Sequence, residues 1–286
     1  PLYKEIKEVL DQLKKSHEII FINDGSTDKT EEIINSIKDK NFKSIHFRKN
    51  FGQTAAMDAG LKKSRGKIII TMDGDLQHDP KDIPKLLDGI EKGYDIVAGW
   101  RYTRKDKFSK RFVSNGAKFL RKILLNDKLK DSGCTLRAYK KETIKNLNLY
   151  GEMHRFIHIL LKNKGFKIAQ VKINHRPRIH GKTKYNFYRT IKSLLDMVLL
   201  NFWSRFSTRP IHLFGGIGFA SGLIGSLILL YLAFIRIFNN VSIGNRPMLL
   251  LGILLVLVAV QFLMFGIIAD ILTKIYYNNN NNYSIK

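Results

Sequence analysis

The stretch IIITMDGDLQHDP, Ile68 to Pro80, decides how this sequence reads. Its opening run is short, apolar and rich in β-branched residues, with Arg65-Gly66-Lys67 just before it, which predicts a strand buried on both faces of a mainly parallel sheet. The run ends in acid. Asp73 and Asp75 stand two residues apart where the strand gives out, Gln77 follows two further on, and His78, Asp79 and Pro80 close the turn. If the chain stays extended there, the alternation of a strand puts Asp73, Asp75 and Gln77 on one side. Oxygen donors clustered at the carboxyl end of a central strand occupy the place where open α/β sheets bind ligands. Two carboxylates so close repel unless a cation lies between them, and an oxygen-only set suits Mg²⁺ or Mn²⁺ rather than zinc. A solvated acidic turn leading into a helix fits the same residues, and an isolated Asp-x-Asp does not choose between the two.

On both sides of this stretch, strands and helices alternate. Upstream, Leu2, Ile6, Val9, Leu10 and Leu13 recur at helical spacing, and a strand is expected from Glu18 to Ile22. Asn23-Asp24-Gly25-Ser26-Thr27-Asp28 follows it, then a helix from about Lys29 to Ile37 capped by Asp28 or Thr27. Next come a strand from Ser44 to Phe47, a turn at Asn50-Phe51-Gly52 and a helix from Thr54 to Lys63. Downstream, Ile83 to Glu91 reads as helix and Asp95 to Gly99 as strand. This is the pattern of a parallel sheet covered by helices.

The chain has 286 residues, with 49 Lys and Arg against 24 Asp and Glu, a formal charge of +25. Such a surplus calls for an anionic partner: nucleic acid, an acidic membrane surface or phosphorylated substrates. A single cysteine, Cys134, excludes an internal disulfide framework and a cysteine-based zinc site. The last third narrows the choice. From Phe187 to about residue 210, a wide apolar face carries aromatic residues and basic flanks, as in a helix lying in the plane of a membrane surface. Residues 211–236 and 247–272 are each long enough to cross roughly 30 Å of hydrocarbon as helices, leaving 273–286 as a polar tail. Gly215, Gly218, Gly222 and Gly225 permit close helix contact or association between chains, so a homo-oligomer is compatible with the sequence. A nucleic-acid binder would explain the charge but has no use for two spans, so no nucleic-acid partner is expected. The lysine and arginine bias places the basic domain on the cytoplasmic side, and the Lys- and Asn-rich composition suits the cell membrane of a prokaryote.

NDGSTD after one strand, RKNFGQTAAMDAGL, and MDGDLQHDP after another together resemble the inverting family 2 glycosyltransferases of the nucleotide-sugar-binding A-type fold. Within them, the chain is most similar to the dolichyl- and undecaprenyl-phosphate sugar transferases. GWRYTRKD, DSGCTLRAYKKE, HRPRIHGKTKY and the two C-terminal spans fall in the same order as in that family. The resemblance implies an α/β catalytic domain over 1–186 that moves a single hexose-type sugar from a UDP- or GDP-linked donor to a polyprenyl phosphate, with a divalent ion. It also implies a first strand ending in a Pro-x-Tyr-Asn-Glu-like turn, which would fall just before Pro1.

Site expectations follow from the motifs and the resemblance together. Asp75 and Gln77, with Asp73, would hold the ion on the diphosphate. Asn23 and Asp24, at a strand end, would meet the nucleoside. Arg178 and Lys184 match basic positions of a loop that closes over the donor. Arg101 follows a strand end, and Arg111, Ser114 and Asn115 lie three to four residues apart on one helical face; the resemblance brings this region to the acceptor phosphate. Asp131 would orient the acceptor or act as a base, and both readings stay open. A lipid or glycan hydroxyl acceptor, and a membrane anchor without enzyme activity, are the alternatives. The histidines His154, His158 and His175 share no metal-binding spacing and read as ordinary polar residues.

Overall fold

The computed structural model describes residues 1–102, 122, 123, 125, 127, 129–145, 147, 149, 151–177, 187–244 and 246–278. The chain divides into two compact units, Pro1–Val198 and Leu199–Lys286.

In the first unit, helix α1 (Leu2–Leu13) precedes strand β1 (Ile19–Asn23), helix α2 (Thr30–Asn35) and strand β2 (Phe42–His46). Strands β1 and β2 pair in parallel, Ile19 opposite Phe42 through Asn23 opposite His46. Asp28 does meet the amino end of α2, where its Oδ1 accepts the Thr30 amide at 3.0 Å. Helix α3 (Gln53–Lys63) leads to strand β3 (Ile68–Thr71), then α4 (Ile83–Glu91), β4 (Ile96–Arg101), β5 (Arg137–Lys140), α5 (Ile157–Asn163) and β6 (Ile168–Ile173).

The second sheet has the order β3-β5-β4-β6. β4 and β6 are parallel, whereas β5 runs antiparallel to both β3 and β4. The α/β class expected from the sequence therefore holds, with one correction at its centre. β3 does not lie among parallel neighbours; the segment after residue 130 returns between β3 and β4 in the opposite direction. Of β3, Ile69 alone is buried, and its neighbours are partly exposed.

Adjacent residues of these strands serve opposite faces, as the pleat requires. Ile69, Ile96 and Tyr139 pack with Leu61 of α3 and with Ile157 and Leu161 of α5. Val97 and Ala138 pack on the other face with Leu86 and Ile90 of α4. The sheet is thus a layer between helices, and α4 approaches it closely: a Cβ at Gly89 would stand 2.7 Å from Val97. Burying both faces of the central strands is what gives these runs their continuous apolar character.

Helix α6 (Phe187–Phe206) runs across the division between the units, and the second unit continues with α7 (Ile211–Asn239) and α8 (Pro247–Asn278). Both α7 and the stretch Pro247–Ile275 are 29 residues long, about 43 Å at 1.5 Å per residue, and apolar enough to cross a membrane. Each is about one turn longer than the sequence suggests, and α8 continues into the polar stretch expected as tail. Their large side chains point outward: Phe219, Leu230, Leu250 and Phe265 are all more than half exposed. Core helices of a water-soluble domain would hide such residues, so α7 and α8 have the length, apolarity and outward-facing side chains that membrane-spanning helices need. The glycine stripe is used inside it. Cβ atoms at Gly218 and Gly225 would stand 2.9 Å from the Ala259 and Gly252 carbonyl oxygens, so these glycines let α7 and α8 touch backbone to backbone.

Candidate active site

The carboxyl ends of β1, β3 and β4 carry the predicted polar residues. After β1, Asn23 is buried, its side-chain oxygen accepting the Ser26 amide at 3.0 Å and its nitrogen 3.3 Å from His46 Nδ1. Asp24 spends both carboxylate oxygens on one turn: Oδ1 accepts the Phe51 amide at 2.7 Å and Oδ2 the Gly52 amide at 2.9 Å. Gly25 is required beside it. Its φ is +67°, and a Cβ there would stand 2.3 Å from the Lys49 carbonyl carbon.

The next residue in that turn, Gln53, begins α3 and donates from Nε2 to Asp73 Oδ1 at 2.7 Å. Consecutive residues Gly52 and Gln53 therefore connect the acid after β1 with the first acid after β3. Beyond Thr71, the chain does not stay extended. It bends through Gly74–Leu76, with Leu76 at φ +62°, and the Gln77 amide turns back to Asp75 Oδ1 at 3.2 Å. The expected alternation of Asp73, Asp75 and Gln77 along an extended chain is replaced by a compact loop. Gln77 and His78 are then strapped by the segment after β6: the Arg176 amide donates to the Gln77 carbonyl at 2.9 Å, and His78 bridges His175.

His78 is the residue that sequence reasoning passed over. It is buried, with Nε2 3.1 Å from Thr135 Oγ1 and 4.0 Å from Asp73 Oδ2. Burial holds its pKa below the usual range, assisted by Arg101 and opposed by Asp73, Asp75 and Asp131. That set of neighbours places the predicted acids and Arg101 around one imidazole. The only sequence signal for it was its position within the acidic turn.

Arg101 is the last residue of β4 rather than the first beyond it, and it grips Asp131 with two prongs. Nε meets Oδ2 at 2.7 Å and Nη2 meets Oδ1 at 2.9 Å, while the Arg101 amide also reaches Oδ2 at 3.3 Å. Burial works against the guanidinium charge, but Asp131 outweighs it and the Arg101 pKa is raised. The sequence offered these two as separate candidates, 30 residues apart; the fold makes them one unit.

Arg176, part of the expected basic loop, is committed to structure, bound to Glu5 of α1 at 2.6 Å and to Asp79 at 2.9 Å. Arg111, Ser114, Asn115, Arg178 and Lys184 lie outside the described residues. His154 meets Thr54 at 2.6 Å, and His158 lies between Asp127 and Arg137. Cys134 is a core residue whose thiol pKa burial pushes up to about 11.

This arrangement of strands and acids has known counterparts. The sequence pattern of glycosyl transferase family 2 matches residues 1–147. The chain belongs to glycosyl transferase family 2. The dodecaprenyl-phosphate galacturonate synthase of Rhizobium johnstonii is 38% identical, an alignment covering 100% of this chain and 87% of that protein. The undecaprenyl-phosphate 4-deoxy-4-formamido-L-arabinose transferase of Pseudomonas aeruginosa is 29% identical over 93% of this chain and 78% of its own length. Among solved structures, glucosyl-3-phosphoglycerate synthase of Mycobacterium tuberculosis, crystallised with Mn²⁺ and UDP-glucose, superposes with a TM-score of 0.52. That match is 19% identical and covers 69% of this chain and 74% of the other; it shows the nucleotide-sugar-binding A-type fold. In the glycosyltransferase, the geometry thus gathers acids and a largely enclosed arginine at one end of one sheet.

Proposed function

We propose that this glycosyltransferase moves a single hexose-type sugar, with inversion, from a UDP- or GDP-linked donor to a polyprenyl phosphate at the cytoplasmic face of a prokaryotic cell membrane. The observation that carries this reading is the likeness to dodecaprenyl-phosphate galacturonate synthase over the whole of this chain, its two C-terminal apolar helices included. In it, residues 1–186 form the catalytic domain, 187–210 the juxtamembrane segment, 211–236 and 247–272 the spans and 273–286 the tail.

The donor set after β3 fits a divalent ion. Among the described residues, Asp73 has no lysine or arginine within ion-pair distance, and no group of three or more His, Cys, Asp or Glu is placed to hold a metal ion without further ligands. Mg²⁺ and Mn²⁺ are commonly held by one or two carboxylates, with substrate phosphates and water completing the shell. Asp73, Asp75 and Gln77 would hold it, and when bound it neutralises charge on the departing diphosphate. Asn23 and Asp24 shape the turn that meets the nucleoside, with Arg178 and Lys184 on the donor phosphates.

An alcohol acceptor needs a base, whereas a phosphate monoester is already ionised near neutral pH, its second pKa being about 6. The structure of the Asp131 pair supports the second case: a carboxylate held on both oxygens by Arg101 is better suited to fixing that guanidinium than to taking a proton. Arg101, with Arg111, Ser114 and Asn115, would then receive the acceptor phosphate, and the protein's task is to position two anions against each other.

The test is transfer of radiolabel from UDP- and GDP-sugars, galacturonate included, into organic-extractable lipid in nanodiscs carrying undecaprenyl or dolichyl phosphate. Label that requires Mn²⁺ or Mg²⁺ and is lost in Asp75→Asn supports the proposal. Label entering only hydroxyl acceptors overturns the acceptor assignment, and transfer unaffected by Asp75→Asn overturns the metal assignment.

A further inference from the structure

Next to the Arg101–Asp131 pair in the chain lies a second set of polar groups, and these are buried. Asp127, Ser132, Arg137 and His158 are all at most 9% exposed. Asp127 collects the loop that carries Asp131. Its Oδ2 accepts the Ser132 hydroxyl at 2.5 Å and lies 3.3 Å from His158 Nε2, and its Oδ1 accepts the Leu129 amide at 3.0 Å. Arg137 holds the same loop from the other end. Its Nε donates to the Cys134 carbonyl at 2.7 Å and its Nη2 to the Ser132 carbonyl at 2.5 Å, while Nη1 stands 3.4 Å from His158 Nδ1.

The chemistry fixes the tautomer. A guanidinium can only donate, so a neutral His158 ring would accept at Nδ1 and carry its proton at Nε2, toward Asp127. The imidazole thus joins a buried carboxylate to a buried guanidinium. Burial raises the pKa of Asp127, but His158 and Ser132 outweigh that and hold it well below the usual carboxylate range. Arg137 is itself placed by the sheet, opposite Thr71 of β3 and Ala98 of β4. Those strands run on to Asp73 and Arg101.

We infer that Asp127, His158 and Arg137 are positioning residues that set the place of Asp131, and through it the aim of the Arg101 guanidinium. This rests on the proposed sugar transfer for its kinetic readout only. Displacing a group by about 1 Å can cost roughly 10²-fold in turnover. The variants are His158→Leu, which removes the bridge, His158→Gln, which restores a donor and an acceptor, and Ser132→Ala, which removes one bond and leaves the core filled.

Two readouts keep the inference apart from the function. In hydrogen exchange of the substrate-free enzyme, His158→Leu should speed exchange at residues 129–134 and leave α4 and its face of the sheet protected. In kinetics, His158→Leu should lower kcat about 10²-fold with donor KM within twofold, His158→Gln should regain most of it, and neither should matter once Asp131→Asn is present. Additive losses in the Asp131→Asn background would overturn the inference, as would unchanged exchange at 129–134. If His158→Leu does not fold, Ser132→Ala carries the same exchange measurement and cycle with a smaller effect. If the wild type glycosylates no polyprenyl phosphate, the proposed function fails, and the exchange result alone decides the positioning role.

Discussion

Replacing Asp131 with asparagine tests the central pair of the site through stability as well as activity. Each partner keeps 14% side-chain exposure, so the pair is nearly desolvated without being sealed. Removing one partner of a buried pair costs about 3–5 kcal/mol; the residual exposure and the acceptor that asparagine retains bring this to about 2–3 kcal/mol. For a unit of this size, each kcal/mol is worth roughly 2–4 °C in Tm, so Asp131→Asn should lower the unfolding temperature by roughly 5–10 °C. Most of that loss is the cost of an unpaired guanidinium. The double variant Arg101→Met/Asp131→Leu should therefore recover much of the stability without recovering activity, because well-packed apolar pairs often replace buried ion pairs without penalty. Thermal melts by tryptophan fluorescence in detergent, with and without donor, measure both. A shift below about 2 °C for Asp131→Asn, or a double variant less stable than the single one, would refute the pairing.

Other perturbations separate the parts of the fold. Gly218→Leu and Gly225→Leu should each cost about 1–3 kcal/mol by forcing α7 from α8, while Gly216→Leu, whose Cβ meets nothing within 4 Å, should be neutral in the same melt of the purified hairpin-containing chain. Gly25→Ala should abolish transfer and lower Tm, since the left-handed backbone and the Lys49 contact leave no room for a methyl; wild-type kinetics would contradict this. Acid should destabilise the catalytic unit through Glu18 and Asp95. Burial raises both, but Lys43 and the Arg65 and Gly66 amides outweigh it at Glu18, and Lys140 and the Lys167 amide at Asp95, so both folded pKa values lie below 4.5 and 3.8 respectively. Their contribution is full above those ordinary values and is lost as pH falls through the lowered ones, so Asp95→Asn should flatten the dependence of urea midpoint on pH below about 4.

Much of this was readable before any coordinates. Helical spacing found α1 and α4, and the apolar run at Ile68 found β3, because periodicity and β-branching are local properties. The antiparallel β5 was not legible in direction: Thr135 to Tyr139 read as a strand, but whether such a strand returns beside β3 or crosses over depends on how the intervening chain is routed. The same limit applies to the site. Asp73 and Asp75 could be picked out by their place after a strand, and Asp131 by the family resemblance of the motif before one, whereas the union of Arg101 with Asp131 and the burial of His78 among them arise from contacts between segments that nothing in either segment announces. Asp24 shows the converse. Its motif was evident, yet its use of both oxygens on the Phe51 and Gly52 amides became visible only with the turn in place.

The link from Asp24 through Gly52 and Gln53 to Asp73 has a practical consequence for any chimera built to test the proposed donor site. A chimera that takes the turn after β1 from a relative with another sugar nucleotide also imports a different seat for the first residue of α3, and with it a different angle for the acid beyond β3. Module boundaries in this enzyme therefore belong before β1 and after the 74–78 loop. A junction placed inside α3 would divide a single mechanical piece and leave each half aimed by the wrong neighbour.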